Sequence, residues 1–90
     1  MAVVCKHVVY SGTVQGVGFR FAARQTAEGF AVGGYVRNLR DGTVELLAEG
    51  ENDTVMSFLS ALNKRMCGYV VNAAVQDAQL AGYVDFGIRY

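Results

Sequence analysis

Ninety residues suit one compact domain, which at this size buries about 60 to 70% of its unfolded surface, and eight basic side chains cancel eight acidic ones. With no net field to draw the whole molecule onto nucleic acid or an anionic membrane, any anion must be held locally. The apolar runs fall short of the roughly 20 residues a membrane helix requires. The opening residues also reach Lys6 and His7 without the apolar stretch of a leader, so one domain over 1–90 in the cytoplasm is expected.

Residues 3–11 are rich in β-formers and read as a first strand, broken by the glycines at 12, 16 and 18. From Phe19 the small or apolar residues Ala22, Ala23, Thr26, Ala27 and Phe30 recur at helical spacing, and Gly29 suits a helix C-terminus, which predicts a helix over 19–29. Residues 34–39 and 43–48 are strand-like and flank Arg40-Asp41-Gly42, a strong hairpin signal. Asn52 or Asp53 can cap a second helix whose apolar stripe is Val55, Phe58, Leu59, Leu62 and Met66. Valine-rich residues 69–76 and the alternating tail 84–90 give two further strands. Strand, helix, hairpin, helix, strand plus a short extra C-terminal strand is the α+β, ferredoxin-like split βαβ order, with two helices on one face of a mainly antiparallel sheet.

The chemistry gathers at Gln15-Gly16-Val17-Gly18-Phe19-Arg20, between a strand and a helix start. Loop glycines let successive amides converge on an anion, the helix N-terminus adds partial positive charge, and Arg20 offers a guanidinium fork. The same residues also fit a plain strand-to-helix turn with a surface arginine. They match neither a Walker loop, which needs Gly-Lys-Ser/Thr, nor a dinucleotide fingerprint, since Phe21 stands where a third small residue belongs. Asn38 is unusual in a strand and so marks a candidate site, although it also fits the turn with Asp41 and Gly42.

The segments GTVQGVGFR, Gly12 to Arg20, and GYVRNLRDGTVE, Gly34 to Glu45, resemble the two signature segments of the acylphosphatase family in order and spacing. The likeness extends through helix two to Phe86-Gly-Ile88-Arg89. It weakens over 67–83, where Cys67-Gly68-Tyr69 stands in place of the family's usual Gly-Pro. The resemblance implies hydrolysis of the carboxyl-phosphate bond of small acyl phosphates, without metal or cofactor. Arg20 and the amides of Gln15, Gly16, Val17, Gly18 and Phe19 would hold the phosphate, and Asn38 would position the water. Inorganic phosphate would be product and competitive inhibitor. An acyl phosphate is already activated, so positioning and charge stabilisation suffice; Asn38 cannot take a proton, which would pass to the substrate phosphate.

Other readings compete. A module that only senses phosphate would keep the same cradle. An RNA-binding domain would use Tyr10, Phe19, Phe21, Tyr35 and Phe86 as a stacking surface, but lacks the RNP sequence and a basic stripe, so those rings read as packing and no nucleic acid is expected. His7 reads as structural, and Ser11 lacks a His and Asp partner set. Cys5 and Cys67 lack zinc spacing and read as free thiols, since the predicted topology sets them about 20 Å apart.

Overall fold

The computed structural model describes residues 2–90. Seven elements follow in order: β1 (Val3–Gly12), α1 (Phe19–Ala27), β2 (Gly33–Asn38), β3 (Val44–Glu51), α2 (Asn52–Arg65), β4 (Val70–Asp77) and β5 (Phe86–Ile88). They form one five-stranded sheet in the order β4-β1-β3-β2-β5. β1 is antiparallel to β3 and β4, and β2 is antiparallel to β3, whereas β5 runs parallel to β2. Each βαβ unit therefore has a strand inserted between its parallel pair, which is the ferredoxin-like arrangement expected.

Side chains alternate across a strand, and on β3 Val44, Leu46 and Ala48 are all fully buried. They meet Val8 and Tyr10 of β1, Val36 of β2 and the apolar stripes of both helices in one core. Phe58 of α2 is fully buried in it, edge-on to Phe86 at 5.4 Å between ring centres and tilted against Phe30 at 6.0 Å. Burying such a ring is worth about 1.5–3 kcal/mol.

The opposite sheet face carries Glu45, Leu47 and Glu49. Here Glu45 accepts from Arg37 Nε at 2.8 Å and lies 2.8 Å from His7 Nε2, and burial of its carboxyl is outweighed by these two partners, which hold its pKa below the usual range. Residues 78–85 cross this face between the two sheet edges. Glu49 holds them by accepting the N–H groups of Ala81 at 2.8 Å and Gly82 at 2.9 Å. Gly33 leaves room for the crossing, since a Cβ there would meet the Tyr83 carbonyl oxygen at 2.3 Å.

Element ends depart from the sequence reading in several places, β3 among them, which runs on to Glu51. α1 stops at Ala27, because Glu28, Gly29 and Phe30 bond three residues back to Gln25, Thr26 and Ala27 and tighten the chain out of the helix. The cap of α2 is Glu51, not Asn52 or Asp53; its carboxylate accepts the Asp53 N–H at 3.1 Å, while Asn52 N–H donates to the Ala2 carbonyl. The terminal strand is only three residues long.

Candidate active site

The loop between β1 and α1 is pinned at both ends. Tyr10 and Phe19, each at most 2% exposed, pack at a tilt of 52° with ring centres 4.8 Å apart, and buried Val14 joins them in the core. Thr13 N–H donates to the Tyr69 carbonyl at 2.9 Å. Between these anchors Gly16 and Gly18 both have φ of 77°, a region L-side chains rarely enter, and an added Cβ at either would meet open space. Conformation, not crowding, demands glycine at both.

Gly18 is also the N-cap of α1 and offers no side-chain cap. The first intrahelical bond is Ala22 N–H to the Gly18 carbonyl, which leaves the amides of Phe19, Arg20 and Phe21 pointing out of the helix end. Among the described residues, no protein acceptor takes a main-chain N–H of the segment 14–21. Donors of this kind beside the positive end of a helix form an anion site.

These groups open into a cleft of about 320 Å³. Gly16, Gly18, Phe19, Arg20, Phe21 and Arg24 form one side, Asn38 another, and Val14, Ile88 and Tyr90 complete it. Arg20 has no acidic partner within 4.0 Å among the described residues, and its guanidinium carbon lies 4.9 Å from the Tyr90 ring centre. Two arginines, a helix N-terminus and no lining Asp or Glu side chain favour an anion in the cleft. Among the described residues no group of three or more His, Cys, Asp or Glu gathers to hold a metal.

Asn38 ends β2, opposite Val44, and is half-buried. The turn after it closes without its help: Leu39 N–H donates to the Thr43 carbonyl at 2.9 Å, and Asp41 Oδ1 accepts from Thr43 N at 3.0 Å and Thr43 Oγ1 at 2.5 Å. Among the described residues the Asn38 carboxamide has no protein hydrogen-bond partner, so it is left for the cleft.

Of the residues read from the sequence, Gly16, Gly18, Phe19, Arg20 and Asn38 line this cleft, whereas Gln15 and Val17 do not. Phe19 is buried and has only its main chain to offer. Val17 packs against the core, and the Gln15 side chain reaches the hairpin turn instead. His7 sits on the other sheet face with Glu45. The sequence reading missed Arg24 and Tyr90. Arg24 was signalled by its place one helical turn beyond Arg20, but nothing near Tyr90 in sequence hints that β5 carries it to the cleft.

The Acylphosphatase family profile matches residues 6–88. This chain belongs to the acylphosphatase family. An acylphosphatase from Methanospirillum hungatei is 43% identical over 84 residues, covering 91% of this chain and 92% of that protein. The crystal structure of acylphosphatase from Bacillus subtilis superposes with a TM-score of 0.87 at 32% identity, covering 99% of this chain and 100% of the other. An acylphosphatase structure from Coxiella burnetii gives 0.85 at 37% identity, covering 97% and 93%. The chain is thus an acyl phosphate hydrolase with the expected ferredoxin-like fold, and no helix among the described residues is long and apolar enough to cross a membrane.

Proposed function

We propose that residues 1–90 form a single catalytic domain that acts on small acyl phosphates in the cytoplasm, with Arg20 and the loop amides binding the phosphoryl group and Asn38 positioning water. The observation that carries this reading is the convergence of Gly16, Gly18, Arg20 and Asn38, from two separated segments, on one cleft without an acidic side chain.

The amides from Gln15 to Phe19, through their N–H groups, and the Arg20 fork take the phosphoryl oxygens, with charge-assisted bonds roughly twice as strong as neutral ones. Asn38 Oδ1 accepts a hydrogen from water and aims its oxygen at phosphorus, in line with the departing carboxylate. The carboxylate is a good leaving group and needs no acid. The water proton passes to a phosphoryl oxygen, so no side-chain base is required and the products are a carboxylate and inorganic phosphate. Arg20 supplies the positive charge, so the reaction as drawn uses neither metal nor organic cofactor, and phosphate competes with substrate for the cradle.

Arg20 decides the reading. Arg20→Ala and Arg20→Lys should each lose at least about 10²-fold in benzoyl phosphate turnover, because a point charge does not replace the fork. The inhibition constant for phosphate should rise in both. Turnover within about threefold of the parent in either variant removes Arg20 from the mechanism.

A further inference from the structure

Gln15 lies in the loop just before Gly16, yet its side chain crosses to the hairpin. Nε2 donates to the Leu39 carbonyl at 2.7 Å and to the Thr43 carbonyl at 2.8 Å. A carboxamide nitrogen has two hydrogens, and both are used. Leu39 follows Asn38 directly, and Thr43 precedes its strand partner Val44.

We infer that Gln15 is a positioning residue, whose side chain fixes Asn38 relative to the phosphate loop and so sets the line of water attack. This rests on the roles proposed above for the loop and Asn38. The turn does not depend on Gln15 to close, because the Leu39–Thr43 and Asp41–Thr43 bonds already define it. What the two Gln15 bonds add is a rigid tie between that turn and the loop. The Asn38 side chain has no protein hydrogen bond among the described residues to hold it against the cradle, and a displacement of about 1 Å at a reacting centre costs on the order of 10²-fold in rate.

The chemistry of the tie is specific. A methionine of similar length donates nothing. An ionised glutamate sets an acceptor against two carbonyl oxygens and pushes the turn away, whereas a protonated one restores a single donor. The tie therefore predicts a pH signature that simple packing does not produce.

The test uses the full chain with benzoyl phosphate as substrate and inorganic phosphate as competitor, for Gln15→Met, Gln15→Glu, Asn38→Ala and the double variant Gln15→Met/Asn38→Ala. Gln15→Met should lower kcat about 10- to 100-fold while KM and the phosphate inhibition constant stay within about threefold. In the Asn38→Ala background the same change should cost less than about threefold more, because the residue it positions is gone. Gln15→Glu should regain turnover as pH falls, along a limb the parent lacks, and it also serves if Gln15→Met does not fold. A kcat for Gln15→Met near the parent's, an equal loss of phosphate affinity, full additivity in the double variant, or a Gln15→Glu profile parallel to the parent's would each overturn the tie. If Asn38→Ala is inactive while Gln15→Met is normal, only this inference falls; if Asn38→Ala is itself normal, the role of Asn38 falls with it.

Discussion

Asn38→Ala separates a structural asparagine from a catalytic one. The surrounding turn is closed by main-chain and Asp41 bonds, and the Asn38 carboxamide has no protein partner among the described residues. Truncation should therefore shift the unfolding free energy by no more than about 0.5 kcal/mol, the range of an ordinary surface change. Losing one preorganised polar contact in a transition state costs about 2.7–4 kcal/mol, or 10²- to 10³-fold in kcat. Benzoyl phosphate hydrolysis, followed by the loss of ultraviolet absorbance, gives kcat and KM; inhibition by phosphate reports the cradle, and urea unfolding reports stability. The expected protein is folded, binds phosphate like the parent and turns over about 10²-fold or more slowly. Turnover within about threefold of the parent, or a loss of kcat matched by an equal loss of phosphate affinity, would refute the water-positioning role.

Turnover should be unchanged after dialysis against excess EDTA; a loss restored by Mg²⁺ or Zn²⁺ overturns the metal-free mechanism. Glu45 should govern part of the acid limb of stability. Its carboxyl, bonded to His7 and Arg37, has a folded pKa below the unfolded value of about 4.3, so its contribution is present above that value and fades as pH falls through the folded one. The urea midpoint should accordingly drop less between about pH 6 and pH 3 in Glu45→Gln than in the parent; parallel curves would contradict this. Cys5 is buried and Cys67 exposed, both unpaired, and burial together with Glu49 raises the Cys5 thiol pKa. A thiol reagent should thus modify one cysteine rapidly in the native protein and two after unfolding.

The sequence reads well where a local rule decides the outcome. The period of α2, the glycine-rich break after β1 and the Asp41-Gly42 turn each depend on neighbours within a few residues, and their elements stand where the pattern sets them. The reading fails where a distant group decides. The strand-like run read over 43–48 continues to Glu51, because β1 pairs with β3 as far as Val3↔Glu51. Glu51 caps α2 although glutamate is a poor cap by type, since the strand delivers it to the helix start. At the site, the glycines, Arg20 and Asn38 are visible as local anomalies. The Gln15 side chain is not, because its two acceptors lie 24 and 28 residues away.

The place of β1 inside the sheet, between β4 and β3, bears on how the protein is made. Both of its hydrogen-bonded neighbours, β3 and β4, come from later in the chain, so the first strand has nothing to pair with as it leaves the ribosome. Such non-local pairing is slow, on a scale of about milliseconds to seconds for β-rich topologies. The phosphate loop depends on both neighbours too: Thr13 is held by Tyr69 just before β4, and Gln15 by the turn before β3. The earliest-synthesised part of the active centre is thus among the last to take shape, and a nascent chain halted before residue 39 carries every residue of the phosphate loop without any of the three carbonyls, of Leu39, Thr43 and Tyr69, that hold it.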